Sequence, residues 1–151
     1  MTRPGEVKLN HLFQPGKVGK FDVKNRIKYG ACCVSNYNGR DGTITPRELA
    51  RVRVIAGTGC GLITNQGAYP DALGEGKSYF RQIAIHDDKF LPQFEMIARY
   101  IHDAGAMAMQ QILHAGRYGG IDLGYCVQPS VVPQTLPHFR PPRELTKDQI
   151  K

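Results

Sequence analysis

Residues Gln110–Gly120 read QQILHAGRYGG and follow a four-residue apolar run, Ala106–Met109 (AMAM). An apolar run that ends by presenting Gln, His and Arg together, then dissolves into glycine, has the form of a buried strand whose polar end opens onto a ligand. Taking 106–113 as that strand sets the segments in front of it. Phe90, Phe94, Ile97, Ala98 and Ile101 recur at helical spacing, Asp87 or Asp88 stands where a cap is needed, and Gly105 ends the run, so a helix is expected over 88–104. Gly61–Asn65 is a second short strand, leading into the polar loop GAYPDALGEGKS. Upstream, Thr45 as N-cap, Pro46 at the first helical position and Glu48 closing a capping box announce a helix over 46–56 that stops at Gly57. RIKYGACCV gives a first strand over 26–33, and residues 11–25, alternating around Gly16 and Gly19, read as a hairpin serving as a lid or plug.

Hairpin, strand, helix, strand, helix, strand is the pattern of right-handed βαβ units in a parallel sheet, an α/β fold. Residues 118–142 form a long Gly/Pro-rich loop of the kind that is commonly functional. Thr146-Lys147-Asp148-Gln149 is a second capping box, so a third helix is expected to start there and the fold to continue past Lys151.

With 151 residues, 41% of them hydrophobic, the chain supports one core-bearing domain or a piece of one, residues 1–151. The formal charge of +7 and the pI near 9.4 raise nucleic acid as a partner. The cations are dispersed, however. Lys17, Lys20, Lys24, Arg26 and Lys28 interleave with strand residues, Arg47, Arg51 and Arg53 lie on a helix, and Arg140, Arg143, Lys147 and Lys151 lie in the tail. No finger spacing or aromatic stacking signature accompanies them, so no nucleic acid is expected; a surface that attracts phosphorylated cofactors or anionic substrates fits better. No apolar run reaches membrane-span length and the first ten residues lack a signal-peptide core, so a cytoplasmic chain without membrane contact is expected. Cys32, Cys33, Cys60 and Cys126 contain no C-x-x-C, and the five histidines have no ligand spacing, so no metal site is expected.

The glycine run GTGCG at 57–61 ends a helix and opens a strand, the reverse of a phosphate-binding loop, and reads as a helix C-cap with a tight turn. Ligands in parallel α/β folds bind at the C-terminal strand ends. Three clusters lie there: Ala31-Cys32-Cys33, Gln66-Gly67-Ala68, and Gln111 to Arg117. Each alone also has a plain structural reading, as a small buried hydrophobe, a turn, or an amide bonded to backbone.

Taken together, LFQPGKVGKFDVKNRI, Asp41-Gly42, GCGLIT, DDKFLP, QILHAGRY and PRELTKDQI stand in the order and spacing of the N-terminal part of Old Yellow Enzyme-like flavin oxidoreductases. From Leu12 to Lys151 the chain resembles that family, and most closely its 2,4-dienoyl-CoA reductase branch. The resemblance implies the N-terminal part of an eight-stranded (β/α) TIM barrel, about three parallel strands preceded by a hairpin, with FMN at the C-terminal mouth. The implied divisions are the hairpin at 11–25, strands and helices at 26–117, and a loop with the start of a third helix at 118–151.

By this resemblance Ala31, Cys32 and Cys33 lie beside the flavin ring, Gly67 lets the backbone pass close to it, and Gln111 hydrogen-bonds its pyrimidine edge. His114 and Arg117 fall in the adjoining loop near the cofactor and the substrate entrance. The implied reaction passes hydride from NAD(P)H through flavin to an activated C=C bond of a small molecule such as an enoyl-CoA. Relatives commonly carry Pro where this chain has Ala31 and an acidic residue where it has Gln66. The family's proton-donating groups, its flavin-phosphate loops, and the 4Fe–4S cluster and FAD of the dienoyl-CoA branch are expected beyond Lys151. This segment alone is therefore expected to be inactive, with no catalytic residue of its own. The protein partner to expect is a second copy in a homo-oligomer or a complementary barrel chain, and the alternative function is a non-catalytic split-barrel or interaction segment that assembles with a complementary chain.

Overall fold

The computed structural model describes residues 9–132 and 140–150; part of the expected 118–142 loop, with His138, lies outside the described residues. After a short helix α1 (Asn10–Phe13), strands β1 (Gly16–Val18) and β2 (Phe21–Val23) form an antiparallel hairpin turning at Gly19, whose φ of +59° suits glycine. Then follow β3 (Lys28–Tyr29), α2 (Pro46–Ala56), β4 (Leu62–Ala68), a 3-10 turn (Asp88–Phe90), α3 (Leu91–Asp103) and β5 (Met107–Ile112). β3, β4 and β5 are parallel and adjacent in sequential order.

The hairpin lies at the N-terminal ends of these strands. Lys24 Nζ donates to the carbonyl of Ala104 just past α3 (2.6 Å), and Asn25 Nδ2 donates to Gly59 O (2.8 Å). Asn25 fits because Gly61 lacks a side chain: a Cβ there would stand 2.3 Å from Asn25 O. The segment is a plug at the bottom of the sheet, on the side away from the mouth.

On α2, Val52, Ile55 and Ala56 form the buried stripe, and on α3 Ile97 and Ile101 meet it together with Ile63 of β4. Arg53 of α2 crosses to α3, donating to Tyr100 Oη (2.7 Å) with its guanidinium 4.1 Å from the ring centre. The start of α2 departs from the capping box. Thr45 is the N-cap and Pro46 opens the helix, but no side chain caps the backbone; Thr45 Oγ1 donates to Tyr37 O instead. Glu48 is fully buried and accepts from Arg51 Nε (2.9 Å) and Nη2 (2.5 Å). The second box is formed: Thr146 N donates to Gln149 Oε1 (2.9 Å) and Gln149 N to Thr146 Oγ1 (3.3 Å), opening α4 (Lys147–Ile150).

Two further differences concern strand ends. β3 pairs only over Lys28–Tyr29, where a strand over 26–33 is expected, because the next partner for this chain on β4 is a side chain: Val34 N donates to Gln66 Oε1 (3.4 Å). Within 118–142, read from sequence as loop, the chain forms β6 (Cys126–Gln128), which pairs in parallel with β7 (Pro142–Glu144). Segments of three residues carry too little periodicity to be seen in sequence.

Candidate functional site

The mouth is organised by a β-bulge. β4 and β5 pair from Leu62↔Met107 to Asn65↔Gln110 and resume at Ala68↔Ile112, so Gln66 and Gly67 together stand opposite Gln111. An extra residue on one strand twists it and re-aims the side chain across from it, which is why bulges recur beside ligand sites. Alternation puts Gln111 on the face of Met107 and Met109, away from the helices. Asn65 and Gln110 lie on the helix side, with Phe94, Ile97 and Ala98.

Gln110 holds the bulge. Its Oε1 accepts from Asn65 Nδ2 (2.9 Å), and its Nε2 donates to the carbonyls of Gln66 and Gln111 (2.7 Å each), two acceptors displaced from the ladder. Gly67 is demanded by packing: a Cβ there would lie 2.6 Å from Leu113 Cβ and 3.0 Å from Gln111 Oε1. Gly67→Ala is expected to cost about 1–3 kcal/mol, as other overpacking changes do. Urea unfolding checks it, and an unchanged midpoint would mean that Leu113 moves aside freely.

Behind the bulge lies a buried amide network. Gln66 is fully buried; its Oε1 accepts from Tyr79 Oη (2.8 Å), which also reaches Gly67 O (3.3 Å). Gln82, equally buried, donates Nε2 to Gly67 O (3.0 Å). The Tyr79 phenol is pushed strongly upward by burial and then by Cys33 beside it, so it stays a protonated donor. Gln66 Nε2 is buried without a partner among the described residues.

The two adjacent cysteines diverge. Cys33 is exposed and neighbours Tyr79 at the mouth. Cys32, also exposed, sits against Tyr29, whose phenol is raised by burial and then by this thiol, on the side of Arg51 in α2. Ala31 is half-buried in the same segment past β3.

His114 packs on the turn that follows β4. A Cβ on Gly76 would stand 2.6 Å from His114 Cδ2, and Asp71 fixes the turn by accepting from Glu75 N (2.6 Å) and Gly76 N (2.8 Å). His114 Nδ1 accepts from Gly116 N (3.1 Å), so in the neutral ring Nε2 carries the proton. Arg117, exposed in a 3-10 turn (Gly116–Tyr118), donates to Tyr118 Oη (3.1 Å).

The structure thus brings Cys33, Gly67 and Gln111 to one rim through Gln66 and Tyr79, sets His114 and Arg117 on the next loop, and turns Cys32 toward the helix layer. Tyr79, Gln82, Asn65 and Gln110 complete the site and were not legible as parts of it. The available signal was the presence of amides in otherwise apolar segments, since a buried amide must be bonded. Among the described residues no cluster of three metal-ligating side chains occurs, and no helix is long and apolar enough to cross a membrane.

Chemically, the rim offers a ligand both halves of an amide. Gln111 is exposed, and its side chain makes no hydrogen bond among the described residues. A flat heterocycle with alternating donors and acceptors on one edge matches such a rim. Parallel strands alternating with helices and a polar rim at the C-terminal strand ends define a ligand-binding (β/α) barrel wall.

The chain belongs to the NADH:flavin oxidoreductase / NADH oxidase family, whose pattern matches residues 11–151. It is 33% identical to an NADH oxidase of Thermoanaerobacter brockii over 144 residues, 93% of this chain and 22% of that protein. It is similar in structure to a 2-naphthoyl-CoA reductase in complex with 2-naphthoyl-CoA (TM-score 0.85, 31% identical, covering 93% of this chain and 23% of that one). The Old Yellow Enzyme homologue of Zymomonas mobilis also matches (TM-score 0.71, 27% identical, 92% of this chain and 41% of that one). The fold is the N-terminal part of an Old Yellow Enzyme-type TIM barrel, and the chain spans between 22% and 41% of the length of these relatives.

Proposed function

We propose that this chain forms the first wall of an FMN-dependent oxidoreductase that reduces an activated C=C bond with NAD(P)H. The observation that carries the reading is the Gln66–Gly67 bulge, opposite which the Gln111 side chain stands at the C-terminal strand ends without a hydrogen bond among the described residues. When bound, FMN supplies the two-electron carrier between NAD(P)H and the alkene. The chain's own residues bind and orient. Gln111 matches the donors and acceptors of the ring edge, Gly67 keeps the bulge free of a side chain, and Ala31, Cys32 and Cys33 form the adjacent backbone wall. His114 and Arg117 stand on the substrate side, where His114 offers an Nε2–H and Arg117 a positive charge. No residue of this chain is assigned as the proton donor.

The similarity to a reductase that binds an aromatic CoA thioester supports an acyl-CoA substrate and placement near the 2,4-dienoyl-CoA reductase branch. A second reading, a split-barrel segment completed by another chain, is favoured by the outer edge of β5, which no strand pairs among the described residues, and a cleft of about 210 Å³ beside it lined by Phe94, Ala98, Ala108 and Met109. Flavin colour in the chain co-produced with the remaining strands and helices of the barrel separates the two, since a non-catalytic segment stays colourless there.

The test is Gln111→Leu in the complete barrel. It keeps the approximate size and removes both amide functions, leaving flavin polar groups unpaired at about 1–3 kcal/mol. FMN affinity is expected to fall about tenfold or more. Unchanged affinity with unchanged flavin reduction kinetics would return Gln111 to a structural role.

A further inference from the structure

The loops that leave the C-terminal ends of β3, β4 and β5 enclose a separate cavity of about 450 Å³, lined by Asn36, Arg40, Lys77, Phe80, Arg81 and Asp122. Its size is that of a small-molecule site. Three cations face one carboxylate. Lys77 is buried, 4% exposed, and its ammonium is fixed by Asp122 Oδ2 (2.5 Å) and Arg40 O (3.1 Å), so it supplies a placed charge. Arg40 and Arg81 are exposed and form no ion pair among the described residues, which leaves both guanidinium groups available.

The backbone here is also unusual. Among the described residues only two non-glycine residues have positive φ, Asn36 (65°) and Arg81 (57°), and both line this cavity. Asparagine tolerates that region; arginine occupies it only at a cost in backbone strain. Asn36 N donates to Phe80 O (3.1 Å), tying the two loops together in this conformation. Phe80, 52% exposed, presents a flat apolar ring at the rim. A strained arginine, a second unpaired arginine, a buried lysine and an exposed aromatic ring make a combination that stability alone does not call for. It suits a ligand with a phosphate and a planar base: guanidinium groups fork onto phosphate oxygens, and an aromatic face stacks on a purine.

We infer that this cavity binds the phosphate-bearing adenosine part of a dinucleotide-like ligand, the tail of a CoA thioester or of the nicotinamide reductant. The choice between those two sources rests on the oxidoreductase reading; the chemistry of the cavity does not.

Calorimetric titration of the full 151-residue chain at low salt tests it, with coenzyme A, NADPH and adenosine as probes. At least one phosphorylated probe is expected to bind ten-fold or more tightly than adenosine and to weaken as salt is raised. Tighter coenzyme A assigns the cavity to the thioester, tighter NADPH to the reductant. The double variant Arg40→Gln/Arg81→Gly is expected to lose at least ten-fold in that affinity, while Arg99→Gln on the far surface of α3 leaves it unchanged. Glycine at 81 also relieves the left-handed backbone, so thermal stability holds or rises and the loss cannot come from unfolding. Equal binding of adenosine and the phosphorylated probes, binding of none, or full affinity in the double variant would overturn the inference. None of these measurements needs flavin, so coenzyme A binding by this chain, together with Gln111→Leu leaving FMN affinity unchanged in the complete barrel, would refute the bulge-site reading and leave this one standing.

Discussion

Glu48→Ala is expected to lower the unfolding free energy by about 3–5 kcal/mol, the range for removing one partner of a buried ion pair. Glu48 has no exposed surface, and both its carboxylate oxygens accept from Arg51, whose side chain is 15% exposed. Burial, which disfavours charge on Arg51, is outweighed by Glu48, and the guanidinium stays ionised. Alanine at 48 leaves that largely buried charge, which neighbours Tyr29 and Cys32, without its carboxylate partner. If Glu48 acted only in a helix cap, its loss would cost about 0.5–2 kcal/mol, so the magnitude alone discriminates. In a domain of this size the expected drop corresponds to a fall in Tm of roughly 6–20 °C. Guanidinium unfolding of Glu48→Ala measures the loss, and Glu48→Leu, Arg51→Met and Glu48→Leu/Arg51→Met close a double-mutant cycle. The double variant should recover much of the loss, because an apolar pair of similar volume removes both desolvated charges. A single-variant loss below about 1 kcal/mol would return Glu48 to the surface chemistry of a cap.

The same residue shows where sequence reading stops. Thr45, Pro46 and Glu48 mark the helix start correctly, since Pro46 does open α2, but local spacing cannot tell a reciprocal cap from a carboxylate recruited inward by an arginine one turn along. At Thr146 and Gln149 the same spacing does form the box. The α3 stripe and the parallel order of β3, β4 and β5 were legible because they rest on repeated periodicity over many residues. The extent of β3 was not, because a side-chain oxygen of Gln66 takes the place of a ladder acceptor.

Of the mouth, the cluster Gln66-Gly67 and the strand end at Gln111 could be singled out, and the structure brings them face to face. The bulge that does so was invisible, since it depends on a count of residues across two strands 45 positions apart, and Gln110 donating across it reads in sequence as merely polar. The opposite courses of Cys32 and Cys33 follow from the same cause: which thiol meets Tyr79 and which meets Tyr29 is settled by tertiary neighbours.

Residues 1–151 by themselves are expected to retain FMN weakly or not at all and to give no NAD(P)H-dependent reduction of an enoyl substrate. Reduction needs a flavin held at ring and phosphate, a hydride source and a proton donor aimed at the far carbon. On the proposed reading, Gln111, Gly67 and the Cys33 segment provide part of one ring-binding wall. Three parallel strands do not close a barrel, and the outer edge of β5 has no paired strand among the described residues. Beside that edge Ile112 is 65% exposed and Met109 37%, next to the apolar cleft between α3 and β5. An unpaired edge next to open apolar surface invites association. Purified alone, the chain should therefore self-associate and be colourless; co-produced with the remaining strands and helices of the barrel, it should bind FMN and turn over. Size-exclusion chromatography, flavin absorbance and NADPH oxidation in the presence of an enoyl-CoA read all three at once. A monomer of residues 1–151 that unfolds cooperatively and reduces the substrate would show that the wall described here is already a complete site.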